Sequence, residues 1–262
     1  MRKIASLFVA LLLLAGCSSV PLTGRKQVLL VSDQEVLSSS LTQYNDYIKT
    51  AKKSTNANKS AMVTRVGKKI AATEDYLRAN GMADEVKNFS WEFNLVNDPQ
   101  VNAFCMPGGK IVVYEGLLPL VSSDDELAVV IGHEVAHAVA KHSNERMSQQ
   151  LMAQYGAAIL GAAVSNKSAA VQQAANTVYG VGAQYGVMLP FSRKHESEAD
   201  YMGLVFMTMA GYNPDVAVNF WQKMSAGKSG STPEFMSTHP SDATRIAEIQ
   251  KVLPAIKTKY KK

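Results

Sequence analysis

The sequence predicts an α+β fold that is mainly α-helical, with one small antiparallel sheet of three strands. Apolar residues recur at helical spacing in several long segments, whereas the apolar–polar alternation typical of strands is confined to residues 89–114. The hydrophobic content of 47% and the charged content of 19% are typical of a globular chain. No proline interrupts the chain between Val121 and Leu189, which favours uninterrupted helices there.

The first residues have the layout of a secretory signal. Arg2 and Lys3 form a positive start, and the segment from Ile4 to Leu14 is almost entirely apolar. About eleven apolar residues are too few to span a bilayer as a permanent helix, but they suit an export signal. The sequence therefore predicts that the chain is exported.

The end of this signal resembles the lipobox of bacterial lipoproteins. It reads Leu14-Ala-Gly-Cys17 and is followed by Ser18, which resembles lipoproteins sent to the outer membrane. The resemblance implies a signal peptide at residues 1–16, lipidation of Cys17, and a lipidated tether over residues 17–31 that anchors the protein to a membrane. An ordinary signal peptide with a coincidental cysteine is the alternative.

Charge and cysteine content weigh against two classes of protein. The formal net charge is only +5, and no basic run carries the interleaved aromatic residues typical of nucleic-acid binding. The chain has two cysteines, and no internal disulfide can form if Cys17 is lipidated. Cys105 is then expected to behave as a small buried hydrophobic residue.

A long helix and a sheet are predicted in the first half of the chain. Ser32 and Glu35 form a capping box at the start of the helix. Residues 89–95 alternate between apolar and polar, and two further strands are predicted at 101–106 and 110–114. Because a strand edge can hold an extended peptide by main-chain hydrogen bonds, the sheet could be either a binding element or only a scaffold.

The central helix carries the sequence His133-Glu-Val-Ala-His137, and a capping box of Ser123 and Glu126 predicts its start. Residues four apart lie on the same face of a helix, so His133 and His137 can bind one Zn²⁺ together. Glu134 then lies beside the metal, where it can accept a proton from water. A surface helix that carries two histidines by chance is the alternative.

Residues 151–189 are rich in alanine and glycine and are predicted to form two helices broken near Ser165–Ser168. Small residues let helices pack closely. Neither arm has the roughly 20 apolar residues that a membrane span needs. We therefore expect a helical hairpin that covers the histidine site, not a membrane insertion. A last helix is predicted over about residues 241–253.

A catalytic zinc site needs three protein ligands and an open position, so a third ligand is required. The metzincin pattern would place a histidine six residues after His137, but that residue is Ser143. His142 lies about 140° around the helix from His137 and is therefore predicted to be a surface residue.

Glu196 and Asp200 are the better candidates because they lie one turn apart on a later helix. One carboxylate could bind the metal while the other fixes the tautomer of a ligating histidine. Glu198 faces away from Glu196 and is predicted to be solvated. The alternative is that these carboxylates are ordinary surface charges.

Four motifs occur in the order typical of one family. They are Asn102-Ala-Phe-Cys-Met-Pro-Gly-Gly109, His133-Glu-Val-Ala-His137, Ser192-Arg-x-x-Glu-x-x-Ala-Asp200 and Thr238-His-Pro240. Together they resemble the zinc metallopeptidases related to HtpX and the CAAX prenyl protease, which are gluzincins, and specifically their lipoprotein branch in the bacterial periplasm. The resemblance spans about residues 85–250.

The resemblance implies a single zincin-like metallopeptidase domain over residues 32–262, with the sheet beside the active-site helix. It implies Glu196 as the third ligand of one Zn²⁺ per chain. It implies Asp200 as a residue that contacts a ligand but not the metal. Glu134 is the expected general base of peptide hydrolysis. The family places the loop of His239 near zinc, where His239 could stabilise the oxyanion, bind zinc as a fourth ligand, or do neither.

The resemblance also implies that Asn102 and Ala103 border the cleft, so that polypeptide substrates bind along the strand edge. We expect neither the transmembrane helices of the family's membrane-embedded members nor a repeat domain after residue 262, and therefore do not expect prenylated substrates. The predicted function is a zinc endopeptidase, anchored through Cys17 on the periplasmic side of the outer membrane, that hydrolyses misfolded or unassembled envelope proteins. The alternatives are a chaperone-like factor that helps the outer-membrane assembly machinery and cleaves rarely, and a structural zinc closed by His239.

Overall fold

A computed structural model describes residues 17–184, 188–226, 235, 239 and 243–261. The predicted signal peptide at residues 1–16 lies outside the described residues, as do the two neighbours of His239 in its motif, Thr238 and Pro240. The described part of the chain is mainly helical with small sheets, which confirms the predicted fold class.

The helices are α1 (Asp33–Thr50), α2 (Ala57–Ala71), α3 (Glu74–Ala79), α4 (Ala83–Val86), α5 (Asp124–Val139), α6 (His142–Val164), α7 (Ala169–Ala183), α8 (Leu189–Met209), α9 (Val216–Ala226) and α10 (Ala243–Tyr260). The strands are β1 (Cys17–Ser19), β2 (Lys26–Val28), β3 (Glu92–Val96), β4 (Ala103–Met106) and β5 (Lys110–Tyr114), and a 3₁₀ helix follows β5 (Glu115–Leu120).

The three-stranded sheet is mixed, so the prediction of an antiparallel sheet is wrong for one of its two pairings. The strand order is β3-β5-β4. Strands β4 and β5 form an antiparallel hairpin, with Ala103 opposite Val113, whereas β3 and β5 are parallel, with Glu92 opposite Lys110. Since β5 lies between strands that run in opposite directions, it must be parallel to one of them. As the central strand, β5 is buried along its whole length.

The segment predicted as a tether is a folded hairpin. Cys17 of β1 pairs with Val28 of β2 in an antiparallel ladder, and Val20 in the intervening turn is buried. The hairpin continues towards α6, where the N–H of Leu30 donates to the hydroxyl of Ser148 at 2.8 Å. Lipidation of Cys17 stays a prediction.

The central helix α5 is the core of the molecule. The hydroxyl of Ser123 accepts the N–H of Glu126, as the capping signal predicted. The Glu126 carboxylate accepts the N–H of Ser122 and not that of Ser123, so only half of the predicted capping box forms. Every residue from Leu127 to Ala136 is buried, because α2, α8, α9 and β4 surround the helix. A helix buried on all sides holds its side chains in fixed rotamers, which is a requirement for a precise metal site.

Helices α5 and α8 come unusually close at two glycines. A Cβ atom added to Gly132 would lie 2.9 Å from the carbonyl oxygen of Gly203, and one added to Gly203 would lie 2.8 Å from the backbone nitrogen of His133. Any larger residue would push the helices apart. The glycines therefore bring the turn that carries His133 against the turn of α8 that carries Asp200.

The Ala/Gly-rich segment forms the predicted pair of helices, with the break between Val164 and Ala169. The prediction that this hairpin covers the site is wrong, because no residue from 151 to 184 is buried. Among the described residues, no helix is both long enough and apolar enough to cross a bilayer.

The last helix extends well beyond its predicted end. It continues through Pro254 to Tyr260, because Ile256 and Tyr260 pack into the core. Its predicted beginning at residue 241 lies outside the described residues.

Candidate metal centre

Two elements of the core and one separate residue bring four metal-binding side chains together. His133 and His137 of α5, Glu196 of α8 and His239 each offer one ligand atom, and these atoms lie within 4.8 Å of one another. The Nε2 atoms of His133 and His137 are 3.0 Å apart. The Glu196 carboxylate lies 3.3 Å from the first Nε2 and 3.4 Å from the second.

His239 completes the group. Its Nδ1 lies 3.3 Å from His133 Nε2 and 3.2 Å from the Glu196 carboxylate. Phe235 stacks on the His239 ring with the centroids 4.6 Å apart, and the N–H of Phe235 donates to the carbonyl of Val101. These contacts tie His239 to the segment that leads into β4.

The spacing of the four atoms fits a zinc ion. In tetrahedral sites the metal lies about 2.0–2.2 Å from each N or O ligand, so ligand atoms are about 3.3–3.6 Å apart. Five of the six pairs of side chains, with one or the other oxygen of Glu196, are 3.0–3.4 Å apart and agree within a few tenths of an ångström. Three imidazoles and one carboxylate are also a donor set that Zn²⁺ commonly takes.

A carboxylate and an arginine fix the orientation of His133. The Nδ1 of His133 lies 3.0 Å from Asp200 Oδ1, and Arg245 donates to both Asp200 oxygens and to Glu196. Burial alone would lower the pKa of His133, but the Asp200 and Glu196 carboxylates outweigh it and raise this pKa to about 9 without metal. Zn²⁺ must therefore displace a proton when it binds.

Arg245 was not identified in the sequence, although a signal for it exists. It occupies the same stripe of α10 as the buried residues Ile249, Leu253 and Ile256. An arginine at a core position requires a buried acidic partner, which here is Asp200.

Glu134 lies beside the ligands without being one of them. It is buried, and its Oε1 accepts no hydrogen bond from the described residues. The Nε2 of His239 is 3.5 Å away. Burial raises the pKa of Glu134 above its ordinary value, which makes the carboxylate a better proton acceptor.

Asn102 and Ala103 lie where β4, an edge strand of the sheet, begins beside α5. The carbonyl of Asn102 accepts the N–H of Tyr114, and its side-chain oxygen accepts the N–H of Ala103 at 2.9 Å. Their role in substrate binding stays a prediction. Cys105, two residues after Ala103 in β4, is half-buried rather than fully buried.

The surface position predicted for His142 is wrong. Helix α5 ends at Val139, and Lys141 takes a left-handed conformation with φ 57°, so the chain turns before His142 begins α6. An angle extrapolated along one continuous helix therefore does not apply. His142 is buried, and its Nδ1 lies 2.8 Å from Nδ1 of His137.

The prediction that Glu198 is solvated is also wrong. Glu198 faces away from Glu196 as expected, but the N-terminal hairpin packs on that side of α8. The Glu198 carboxylate accepts hydrogen bonds from Thr23 and Arg25 and lies 3.0 Å from His142 Nε2. Because residues 17–31 were interpreted as a tether, nothing in the sequence analysis pointed to this contact.

A histidine pair on a core helix, completed by a glutamate from a second helix, defines a zincin-like metallopeptidase. A family model, peptidase family M48, matches residues 57–253. The chain therefore belongs to peptidase family M48, whose members are zinc-dependent metallopeptidases. This confirms the zinc metallopeptidase resemblance, whereas the branch related to HtpX and the CAAX prenyl protease stays a prediction.

Several curated proteins are similar to the chain. The mitochondrial metalloendopeptidase OMA1 of Schizosaccharomyces pombe is 38% identical over 199 residues, which cover 75% of this chain and 54% of the relative. The Arabidopsis thaliana protein of the same name is 40% identical over 168 residues, 64% of this chain and 33% of the relative. The beta-barrel assembly-enhancing protease of Escherichia coli K12 is 28% identical over 183 residues, 66% of this chain and 37% of the relative. The chain thus spans 54% or less of these relatives.

Proposed function

We propose that the protein is a zinc-dependent endopeptidase that is lipid-anchored in the bacterial envelope and hydrolyses misfolded or unassembled envelope proteins. The observation that carries the catalytic part is the group of four possible ligands, His133, His137, Glu196 and His239, with the buried Glu134 beside it. When bound there, Zn²⁺ would polarise the scissile carbonyl and make water a stronger nucleophile.

The residues of the chain have distinct roles in this proposal. Glu134 accepts the proton of the attacking water and passes it to the leaving amine, for which its raised pKa suits it. Asp200 and Arg245 hold His133 in the tautomer that leaves Nε2 free for the metal. The edge of β4, beside α5, offers main-chain groups for an extended peptide.

His239 has the position of a fourth ligand in the described arrangement. A catalytic zinc site keeps one position open, and His239, whose Nδ1 lies 3.2–3.3 Å from His133 Nε2 and the Glu196 carboxylate, would occupy that position as a fourth ligand of Zn²⁺. We therefore infer that this arrangement is a closed form and that His239 leaves the position when substrate binds. A stabilising contact from His239 to the oxyanion then belongs to the open form.

The envelope location is supported by the predicted signal and lipobox-like sequence at residues 1–17, and by the name of the Escherichia coli relative, which refers to β-barrel assembly. The OMA1 relatives are named as mitochondrial, so similarity by itself does not favour one compartment. A chaperone-like assembly factor that cleaves rarely is the second candidate. It is supported by the same relative's name and by the exposed apolar residues of α6 and α7.

Digestion of casein by wild-type protein and by Glu134→Gln decides between the two candidates. We expect the substitution to lower the cleavage rate by about 10²–10⁴-fold, since it removes the proton acceptor. The zinc content should stay unchanged because Glu134 is not in the ligand group. Equal cleavage by both proteins would refute the endopeptidase.

The anchor has its own test. Cys17→Ser, expressed in a bacterium with the complete N-terminal segment, should move the protein from the membrane fraction to the soluble fraction. Metabolic labelling with a radioactive fatty acid should mark the wild type alone. An unlabelled wild type would refute the lipid anchor and leave the peptidase proposal intact.

A further inference from the structure

The outer nitrogen of His137 contacts a second histidine. His137 directs Nε2 towards the ligand group, so its Nδ1 faces outward, where it lies 2.8 Å from His142 Nδ1. A neutral imidazole carries one N–H, and a ring that binds a metal through Nε2 carries it on Nδ1. His142 Nδ1 must then accept this N–H.

The same proton arrangement continues to Glu198. If His142 accepts at Nδ1, its own N–H is on Nε2, which lies 3.0 Å from Glu198 Oε2. The contact between His137 and His142 and the contact between His142 and Glu198 then each contain one proton. His142 is thereby required to be neutral.

Glu198 is in turn held by the N-terminal hairpin. Arg25 donates to Glu198 at 2.8 Å, and its other nitrogens donate to Glu145 at 2.9 and 2.7 Å. Thr23 donates to the second oxygen of Glu198. The Glu198 side chain is only 6% exposed, so these contacts replace water around a buried charge.

The two ligating histidines of α5 are thus supported in parallel ways. His133 contacts Asp200, a carboxylate held by Arg245. His137 contacts Glu198 through His142, and Arg25 takes the place of Arg245. Both carboxylates belong to α8, but the two arginines come from opposite ends of the chain.

We propose that His142 and Glu198 are positioning residues for the metal ligand His137, and that Arg25 extends this support to the N-terminal hairpin. The inference rests on the proposed zinc chemistry and deepens it. The effect of these residues is to fix the tautomer and ring orientation of His137, and so to raise the affinity of the site for Zn²⁺.

Zinc affinity tests this directly. The dissociation constant of Zn²⁺ is measured by competition with a chromophoric chelator for the wild type, His142→Phe, Glu198→Gln and Glu145→Gln. His142→Phe keeps a ring of similar size but removes the acceptor, and should weaken binding about 10–100-fold. Glu198→Gln should weaken it less, in the same direction.

Glu145→Gln is the matched control. Glu145 is a buried carboxylate bonded to Arg25, as Glu198 is, but its other partner is His195 and not His142. Its substitution should leave zinc affinity unchanged, although both glutamine variants lower the thermal stability of the metal-free protein. The visible absorption spectrum of the Co²⁺-loaded protein should change in His142→Phe and Glu198→Gln only.

The possible outcomes separate the two proposals. Zinc affinity and a Co²⁺ spectrum that are unchanged in His142→Phe would overturn the positioning role, as would equal losses of affinity in Glu145→Gln and Glu198→Gln. If His142→Phe does not fold, the two glutamine variants decide. A folded wild type that binds no Zn²⁺ would instead overturn the proposed function.

Discussion

The α5–α8 pair and the part of the α6–α7 hairpin from residue 151 to residue 184, called the hairpin below, contain the same small residues but use them differently. At the crossing of α5 and α8, Gly132 and Gly203 leave no room for a Cβ atom. In the hairpin, a Cβ atom added to Gly161, Gly180 or Gly182 would meet nothing within 4 Å. A Cβ atom added to Gly156 of the hairpin would collide with the Tyr179 hydroxyl. This glycine therefore makes room for a side chain, whereas Gly132 and Gly203 let two helix backbones meet.

Charge distribution differs between the two regions as well. The core pair carries buried ionisable residues around the metal centre. The hairpin has one charged residue between positions 151 and 184, Lys167, and exposes large apolar side chains such as Ile159 and Val178 at 72% and 73%. The stability of the core region thus depends on the pairing of charges, while that of the hairpin does not. Substitutions in the two regions should therefore have different effects on stability.

Removal of a buried charge should have the largest effect. Arg245→Met removes the guanidinium that donates to both Asp200 and Glu196, and should lower the free energy of unfolding of the metal-free protein by about 3–5 kcal/mol. Urea denaturation measures the change. Arg65→Met is the control, because Arg65 pairs with Asp124 at the exposed surface and its substitution should cost far less. Equal losses of stability in the two variants would contradict the distinction between buried and exposed charge pairs.

Addition of one methyl group should have opposite effects in the two regions. Gly203→Ala should destabilise the protein by about 1–3 kcal/mol, because the new Cβ meets the backbone of His133. Gly180→Ala should stabilise it by up to about 0.5–1 kcal/mol, since the helix gains propensity and nothing is displaced. Thermal unfolding of both variants measures the two changes in stability. Two changes of the same sign would refute the comparison.

Acid should destabilise the core through Glu145 and Glu198. Burial alone would raise the pKa of each, but hydrogen bonds from His195 and Arg25 to Glu145, and from His142 and Arg25 to Glu198, lower each pKa from 4.5 to about 2. A lowered folded-state pKa stabilises the protein above pH 4.5, and this contribution is lost as the pH falls from 4.5 to 2.

The melting temperature of the metal-free protein should therefore fall over that pH range. The double variant Glu145→Gln and Glu198→Gln should show a smaller fall. The α6–α7 hairpin has no acidic residue between positions 151 and 184 that could contribute to this fall. An identical pH profile for the double variant would assign the acid sensitivity to other groups.

The smallest effect is expected on the hairpin surface. Ile159→Ala should change the free energy of unfolding by no more than about 0.5 kcal/mol, because its side chain is 72% exposed. The same substitution at the fully buried Ile131 should cost about 2–5 kcal/mol. Chemical denaturation compares the two. A large loss at Ile159 would show that the hairpin is packed against something in solution.

Local sequence signals predicted much of the fold and of the candidate site. The Ser32 cap and the Ser123 cap both appear where the capping pattern placed them. His133 and His137 share a helix face and meet Glu196, because one turn of an α-helix fixes the geometry of residues four apart. These predictions use information contained within a few consecutive residues.

Signals that need distant parts of the chain were missed or misinterpreted. The parallel pairing of β3 depends on β5 lying between two other strands. The burial of Glu198 depends on Arg25, from 173 residues earlier, and the support of Asp200 depends on Arg245. A single sequence does not show which distant segments pack on a given helix face.

The sequence by itself predicted the residues of the candidate metal centre and the helices that carry His133, His137 and Glu196, because helical periodicity and capping are local. Only the tertiary structure decided how those residues are supported. It placed His142 behind His137 through the left-handed turn at Lys141, and it brought the N-terminal hairpin onto α8. Burial and long-range pairing of charges are properties of the packed chain, and no local pattern of residues specifies them.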